Sequence, residues 1–306
     1  MRALVLAVAA LAMLGPAAAA GYSVKLPCET RGERISHDGG VIALFCADAS
    51  GRAVALPSGR LLRALPPNPT ALDAAISDDG SWLAVVEPGG KIAAYATRGQ
   101  AHAAWSVGSV PSTIQFLPNG LLLIDRTLWD VGKARAVKEL PTDFDVLNAV
   151  SIDAEGRRAA TAGADTTVRV YDAKSWKPLY QFRDLLMEPF GVAFTPDGSR
   201  LAVGGADYRV TVLNAADGHV LRALPPFKNA YISAMEPLPA KDWVAVQLND
   251  PASAAPASWK LINLMNGETK AVCGANPLVR FKGGAAWCYR VEGRQLTVAS
   301  ELLPHG

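Results

Sequence analysis

The chain has 306 residues, of which 50% are hydrophobic, and a formal net charge of +2. This length is enough to bury a substantial core in one large or two ordinary domains. The near-neutral charge argues against nucleic acid as the main partner, because phosphate contacts need clustered Lys and Arg side chains.

Residues 1–20 have the pattern of a secretory signal peptide. Arg2 supplies a positive charge, Ala3–Leu14 is an apolar run, and small residues lead up to Ala20. The apolar run is shorter than the ~18 residues that a membrane-spanning anchor needs. We therefore expect cleavage near Ala20, export to a bacterial periplasm or to the exterior, and a mature domain over residues 21–306 with no membrane span.

The rest of the chain contains seven candidate repeat units, and the most regular copy is Phe190–Pro226. Its apolar runs are separated by three short segments rich in Gly and Asp, which tolerate the positive φ that tight turns require. This pattern predicts four short strands, which are Phe190–Thr195, Arg200–Gly204, Arg209–Asn214 and His219–Leu224.

A turn like the Asp197-Gly198 turn of this copy recurs at a period near forty residues. The intervals between successive turns are 41, 40, 36, 42, 44 and 42 residues. The hexapeptide LRALPP also occurs twice, at Leu62–Pro67 and Leu221–Pro226, in equivalent places of the period. Seven units of four strands are typical of a propeller. We therefore predict an all-β fold, a seven-bladed β-propeller with four-stranded antiparallel blades.

Two segments carry a family resemblance. Gly163–Asp172 and Gly205–Asn214 resemble the most recognisable part of a WD repeat, and Leu128-Trp129-Asp130 contains the Trp-Asp pair itself. The chain is thus similar to divergent, exported bacterial β-propellers of the WD-repeat or YVTN type. In the WD family a Gly-His in the loop before the first strand joins a hydrogen-bond network with the turn Asp. This chain has no Gly-His before a first strand.

The seventh unit contains three predicted strands, Pro277–Lys282, Ala285–Val291 and Gln295–Ser300. Tyr22–Leu26 alternates between polar and apolar residues and has no other predicted strand to pair with. We predict that it forms the outer strand of blade seven and closes the ring, which leaves no open sheet edge at the seam.

The four cysteines occupy nearly equivalent positions in the first and last units. Cys28 and Cys273 precede the first strands of these units, and Cys46 and Cys288 fall in their second strands. An even number of cysteines in an exported chain suggests disulfides. We predict the pairs Cys28–Cys46 and Cys273–Cys288, each of which ties a loop to the blade that follows. The rival pairing is Cys28–Cys273 with Cys46–Cys288.

Motifs for catalysis are missing from the sequence. It contains no nucleophile elbow, phosphate-binding loop or His-Glu-x-x-His helix, and its four histidines lie in different units. We therefore assign no catalytic residue, no metal ligand and no cofactor. Whether the protein is an enzyme stays open, and the sequence favours that it is not.

Binding in a propeller is expected at the loops that lead into the blades, because the blades hold these loops still. Aromatic side chains there are favoured anchors for a protein partner, and polar ones can line the mouth of the channel. The candidate binding residues on this basis are Asp73, Asp145, Asn148, Glu188, Phe190, Phe227 and Tyr231.

Three hypotheses of function follow. The first is an exported, monomeric scaffold that binds another periplasmic protein. The second is a hydrolase resembling lactonase-type propellers, in which Asp73, Asp145, Asn148 and Glu188 converge at the channel. The third is a subunit of a quinone-cofactor dehydrogenase, because Asp217–Leu221 resembles the last turn of such propellers.

Overall fold

The protein is a seven-bladed β-propeller. The computed structural model describes residues 21–68, 70–141, 146–274 and 278–303, and their strands form seven four-stranded antiparallel sheets. The predicted fold class is therefore confirmed. The helical elements of the described residues are two single turns of 3-10 helix, Pro88–Gly90 and Val131–Lys133. No helix in these ranges has the length and apolar character that a membrane span requires. Residues 1–20 lie outside the described residues.

The strands are numbered in chain order, and β1 spans Tyr22–Lys25. Blades one to three consist of β2 (Thr30–Ile35), β3 (Val41–Cys46), β4 (Gly51–Ala55), β5 (Leu61–Leu65), β6 (Asp73–Ile76), β7 (Trp82–Glu87), β8 (Lys91–Ala96), β9 (His102–Ser106), β10 (Ile114–Phe116), β11 (Leu122–Ile124), β12 (Thr127–Asp130) and β13 (Arg135–Glu139). Blades four and five consist of β14 (Leu147–Ile152), β15 (Arg158–Gly163), β16 (Val168–Asp172), β17 (Pro178–Phe182), β18 (Pro189–Phe194), β19 (Arg200–Gly205), β20 (Val210–Asn214) and β21 (Val220–Ala223). Blade six consists of β22 (Tyr231–Pro237), β23 (Trp243–Asn249), β24 (Ser258–Asn263) and β25 (Thr269–Val272). Blade seven consists of β26 (Leu278–Lys282), β27 (Ala285–Glu292), β28 (Gln295–Leu302) and β1.

Six of the sheets are formed by consecutive strands, whereas the last one combines both ends of the described chain. Its strand order is β1-β28-β27-β26. Strand β1 pairs antiparallel with β28, with Tyr22 opposite Val298 and Lys25 opposite Gln295. Val24 of β1 and Leu26 just after it are buried in a cluster with residues of blades one and seven.

The turns between the first and second strands repeat around the ring. A glycine with positive φ occupies the same place in five of them, and its N–H donates to the carbonyl three residues earlier at 2.8 to 2.9 Å. These glycines are Gly39, Gly80, Gly120, Gly156 and Gly198. A side chain at these positions is strained because the left-handed backbone region disfavours Cβ. The Asp-Gly periodicity of the sequence therefore reflects this backbone requirement.

The core lies between neighbouring blades. Phe194 and Leu201 of blade five, for example, pack against Val170 and Phe182 of blade four in one buried cluster. Arginines add polar links between blades: Arg158 of blade four donates from Nη1 to the carbonyl of Ala215 in blade five at 2.7 Å. Each blade thus buries both faces of its sheet, which is why its second and third strands are almost continuously apolar.

Both predicted disulfides are present. Cys28 is bonded to Cys46 with a Cα–Cα distance of 5.7 Å, and Cys273 to Cys288 with 5.4 Å. The four cysteines are buried. The bonds lie in blades one and seven, the two blades on either side of the ring seam.

Candidate functional site

The two ends of the ring differ in what they expose. We call the end with the loops that lead into each first strand the loop face. Because the strands are antiparallel, the connections between second and third strands lie on the same face. The opposite end, with the turns between first and second strands, is the turn face.

Large apolar side chains are exposed on the loop face, most of all at blades five and six. Leu186 and Met187, in the loop before β18, are 78% and 52% exposed. Tyr208, in the connection between β19 and β20, is also exposed, and the backbone N–H of Phe227 donates to its carbonyl at 2.6 Å. The apolar patch, as we call this area, consists of Leu186, Met187, Phe190, Tyr208, Phe227 and Tyr231.

Three of the four aromatic members of the apolar patch, Phe190, Phe227 and Tyr231, are held in place by neighbouring residues. The rings of Phe190 and Tyr231 meet edge to face with centroids 5.7 Å apart. The Tyr231 hydroxyl accepts a hydrogen bond from Nδ2 of Asn249 at 2.8 Å. Phe227 packs on the buried cluster between blades five and six. These three aromatics are half-buried, so each presents part of its ring to solvent.

Two of the predicted polar residues meet beside this patch. Nδ2 of Asn148 donates to Oε1 of Glu188 and to the carbonyl of Pro189, both at 2.9 Å. The contact joins blade four to blade five. Asn148 lies in strand β14 and Tyr231 in β22, whereas the sequence placed both in loops; Phe190 lies in β18, in agreement with the predicted strand Phe190–Thr195.

The other predicted polar residues are not part of this arrangement. Asp73 is the first residue of β6 and pairs with Arg34 of blade one, with Oδ1 2.6 Å from Nη2. Asp145 lies outside the described residues. The acidic set that a hydrolase was expected to assemble is thus not brought together by the described residues, because Asp73 faces a different blade interface from Asn148 and Glu188.

Sequence reasoning missed a second site, a cavity in the central channel. Its volume is about 320 Å³, and first strands or the turns after them contribute lining residues from all seven blades. Its polar lining residues include His37, Asp78, Glu236 and Arg280. Burial raises the pKa of the Glu236 carboxyl, and it also raises that of Asp78; Arg280 and His37 act in the opposite direction on both. The sequence signal for this site was the presence of a charged residue, Glu236 or Arg280, in each of two otherwise apolar first strands.

The turn aspartate of the WD-like repeat in blade four pairs with an arginine of the same hairpin. Oδ2 of Asp165 lies 2.7 Å from Nη1 of Arg169, and both side chains are almost fully buried. The Thr167 N–H also donates to Oδ1 of Asp165, at 3.1 Å. An arginine of the same hairpin therefore neutralises the carboxylate, in a chain without the Gly-His of the WD family.

Similarity to known proteins agrees with this architecture. Residues 136–172, which include most of blade four, match the family model described as WD domain, G-beta repeat. The protein groucho of Drosophila melanogaster is 32% identical over 89 residues, which are 29% of this chain and 12% of groucho. The chain therefore spans only a small part of the length of this curated relative.

Two solved structures share the fold over almost the whole chain. The crystal structure of the RRP9 WD40 repeats superposes with a TM-score of 0.62 and 17% identity, and covers 91% of this chain and 96% of that one. The structure of U3-55K superposes with a TM-score of 0.62 and 16% identity, over 92% and 98% of the two chains. Together with the repeat match, these similarities support a WD-repeat β-propeller.

Proposed function

We propose that this protein is an exported scaffold that binds another protein through its loop face. WD40 propellers generally act as protein-interaction scaffolds. The observation that carries the proposal here is the apolar patch at blades five and six, where exposed Leu186 and Met187 stand beside half-buried aromatics. Exposed apolar groups clustered within a polar rim are typical of protein-binding surfaces.

The rigidity of the patch supports the same function. Phe190 and Tyr231 are fixed by their mutual contact and by Asn249, so little side-chain freedom is lost when a partner packs on them. Asn148 and Glu188 already satisfy each other and form a polar rim at blade four. A partner therefore meets a preformed surface, with aromatic anchors in the centre and polar groups at the margin.

We place the protein in the periplasm or outside the cell, as a monomer with a periplasmic protein as its partner. The signal-peptide pattern of residues 1–20 supports this location, and so do two disulfides, since structural disulfides persist in oxidising compartments.

Neither enzymatic hypothesis gains a supporting observation. The hydrolase needed Asp73 beside Asn148 and Glu188, but Asp73 pairs with Arg34. The dehydrogenase rested on Asp217–Leu221, which forms an ordinary turn and the start of β21: Oδ1 of Asp217 accepts from the His219 N–H at 2.9 Å.

The proposal is tested by affinity capture from the native host with residues 21–306 as bait, followed by cross-linking. The variant L186D/M187D places charge on the apolar patch. The matched control is L179D on the outer strand β17, where Leu179 is 54% exposed. We expect the patch variant to lose a partner that the wild type and the control retain. Equal capture by all three chains would contradict the proposal.

A further inference from the structure

The channel cavity is separate from the apolar patch and opens at the other end of the ring. Its lining residues come from the middle and the ends of the first strands and from the turns that follow them, such as His37 and Asp78. His37 is exposed to solvent, so the cavity is accessible from the turn face. Its volume of about 320 Å³ lies within the range of small-molecule sites.

One side of the cavity is mostly apolar, with Gln115 and Ser151 as polar residues in its lining. First strands of blades three to six contribute aliphatic, aromatic and thioether side chains to its wall, which are Ile114, Phe116, Val150, Ile152, Val192 and Met235. A short hydrocarbon chain placed against this wall would leave water, which is favourable in proportion to the area it buries.

The other side is charged and is built by four neighbouring blades. Glu236 comes from blade six, Arg280 from blade seven, His37 from blade one and Asp78 from blade two. Arg34 also lines the cavity, but its guanidinium is paired with Asp73. The two carboxylates therefore face one remaining guanidinium and one imidazole.

The guanidinium of Arg280 is largely engaged elsewhere. Its Nε and Nη2 donate to the carbonyl of Ile35 at 3.1 and 2.8 Å, and Nη1 donates to that of Val279 at 2.9 Å. Its closest approach to Glu236 is 3.8 Å, from Nη1 to Oε1, which is too long for a hydrogen bond. Arg280 therefore places a positive charge near Glu236 but donates no hydrogen bond to it.

Glu236 has an acceptor atom that the described residues leave unused. Its Oε2 is buried and accepts no hydrogen bond from them. Its Oε1 lies 3.8 Å from Arg280, and the side chain as a whole is 22% exposed. A carboxylate without a hydrogen-bond donor is costly, so a ligand donor that reaches its exposed part would stabilise it. Among the described residues, neither Glu236 nor Asp78 belongs to a set of three His, Cys, Asp or Glu side chains close enough to hold a metal ion.

We propose that the channel cavity binds a small primary ammonium ion that carries an apolar chain. The ammonium group donates to the exposed part of the Glu236 carboxylate, near Asp78, and the chain lies against the mostly apolar wall of blades three to six. An ammonium suits the site because it is compact and has three donors, whereas the cavity already contains a guanidinium. This binding is independent of the protein partner proposed for the loop face.

Isothermal titration calorimetry of residues 21–306 with three six-carbon probes tests the site. The probes are n-hexylammonium, n-hexanol and n-hexanoate, at neutral pH and concentrations up to a few millimolar, the weak range expected for fragments. We expect n-hexylammonium to bind about tenfold or more tightly than n-hexanol, and n-hexanoate to bind least, because the charged wall carries excess negative charge.

Variants locate the binding. E236Q should weaken n-hexylammonium binding about tenfold, since it removes the charge while keeping the shape of the side chain. D78N, in a turn, provides a second test if E236Q perturbs folding, and should weaken binding by a smaller factor. E292Q, a change at an exposed glutamate of β27, is the matched control and should bind as the wild type does.

The proposal is overturned if no heat of binding is detected for n-hexylammonium. It is also overturned if n-hexanol binds equally well, or if E236Q and D78N, both shown to be folded by circular dichroism, retain wild-type affinity. Loss of ammonium binding has no bearing on capture of a partner by the loop face, so the two proposals fail separately.

Discussion

The turn face and the loop face of this propeller are stabilised in different ways. On the turn face the same local device recurs: the Ser or Thr hydroxyl two residues before an Asp donates to its Oδ1, as at Ser77–Asp79 and Thr195–Asp197. On the loop face the repetition is less complete. Asp48, Asp165 and Asp207 each accept the N–H of the residue two positions later, and equivalent disulfides, Cys28–Cys46 and Cys273–Cys288, fix the loops of blades one and seven. Other loop-face contacts, such as Asn148 with Glu188, are formed by one particular pair of blades. The turn face is therefore the more uniform of the two ends.

This difference indicates which end of the propeller has a structural role and which can carry specific binding. A turn that depends on four or five adjacent residues can be copied from blade to blade without reference to its surroundings. The loop-face contacts that join different blades, such as Asn148 with Glu188, each need their own pair of residues. Specific binding surfaces are therefore expected where the copies diverge, and rigidity where they agree.

The largest expected effect is at the ring seam. A chain that begins at Pro27 should be less stable than one that begins at Gly21, because it lacks β1 and the buried Val24 and Leu26. Burial of two aliphatic side chains alone contributes about 4 kcal/mol. Thermal and urea unfolding measure the difference. Lys25→Ala, a change at an exposed position of the same strand, is the control and should have little effect. An unchanged melting temperature after the deletion would show that β1 does not stabilise the ring.

The second effect concerns the covalent ties of the loop face. Replacement of Cys28 and Cys46 by Ser should cost about 3 kcal/mol, because the unfolded chain regains the freedom that an 18-residue separation had removed. Replacement of Cys273 and Cys288 should cost a similar amount. Urea denaturation of each double variant, compared with the wild type under oxidising conditions, provides the values. Wild-type stability of both variants would mean that the loops are fixed by packing alone.

Features that depend on adjacent residues could be predicted from the sequence, whereas contacts between blades could not. The turns around Asp197 and the strands beside them could be placed to within one residue, because Asp-Gly chemistry and alternation are local. The disulfide pairs could be predicted because both occupy equivalent places in the repeat. The contact of Glu236 with Arg280 could not be predicted, because it depends on how blades six and seven approach each other in the channel. Likewise, no local pattern indicated that Asp73 pairs with Arg34.

A smaller effect is expected at the repeated turns. Asp197→Ala removes an acceptor that binds the Thr195 hydroxyl at 2.7 Å and the N–H and hydroxyl of Ser199 at 3.0 and 2.8 Å, and should cost about 1 kcal/mol. Asp79→Ala, in the equivalent turn of blade two, should cost a similar amount. Asp73→Ala on the loop face removes one exposed ion pair and should cost less. Unequal effects at Asp197 and Asp79 would show that the turns are not equivalent.

The Asp197 turn also predicts a pH dependence. Its hydrogen bonds from Ser199 and Thr195 lower the pKa of Asp197 to about 2. A carboxyl with a lowered pKa stabilises the fold above its unfolded pKa of about 4, and this contribution is lost as the pH falls through the folded value. The stability gap between wild type and Asp197→Ala, measured by urea unfolding, should therefore narrow from pH 4 towards pH 2. A stability difference that stays constant over this pH range would show that the pKa of Asp197 is not lowered by folding.

The smallest effect has the opposite sign and belongs to the channel. Burial raises the pKa of Glu236, so the folded protein holds this proton at pH values where the unfolded chain has released it. The contribution of this group to stability is therefore greatest at low pH and declines as the pH rises from its usual titration range towards the raised folded value. Glu236→Gln cannot ionise, so its stability relative to the wild type should increase over that interval. Glu292→Gln, at an exposed glutamate, should show no such trend. Parallel pH profiles of stability for Glu236→Gln and the wild type would show that burial does not raise the pKa of Glu236. The carboxyl groups of the channel and of the turns would then not differ in the direction of their pKa shifts.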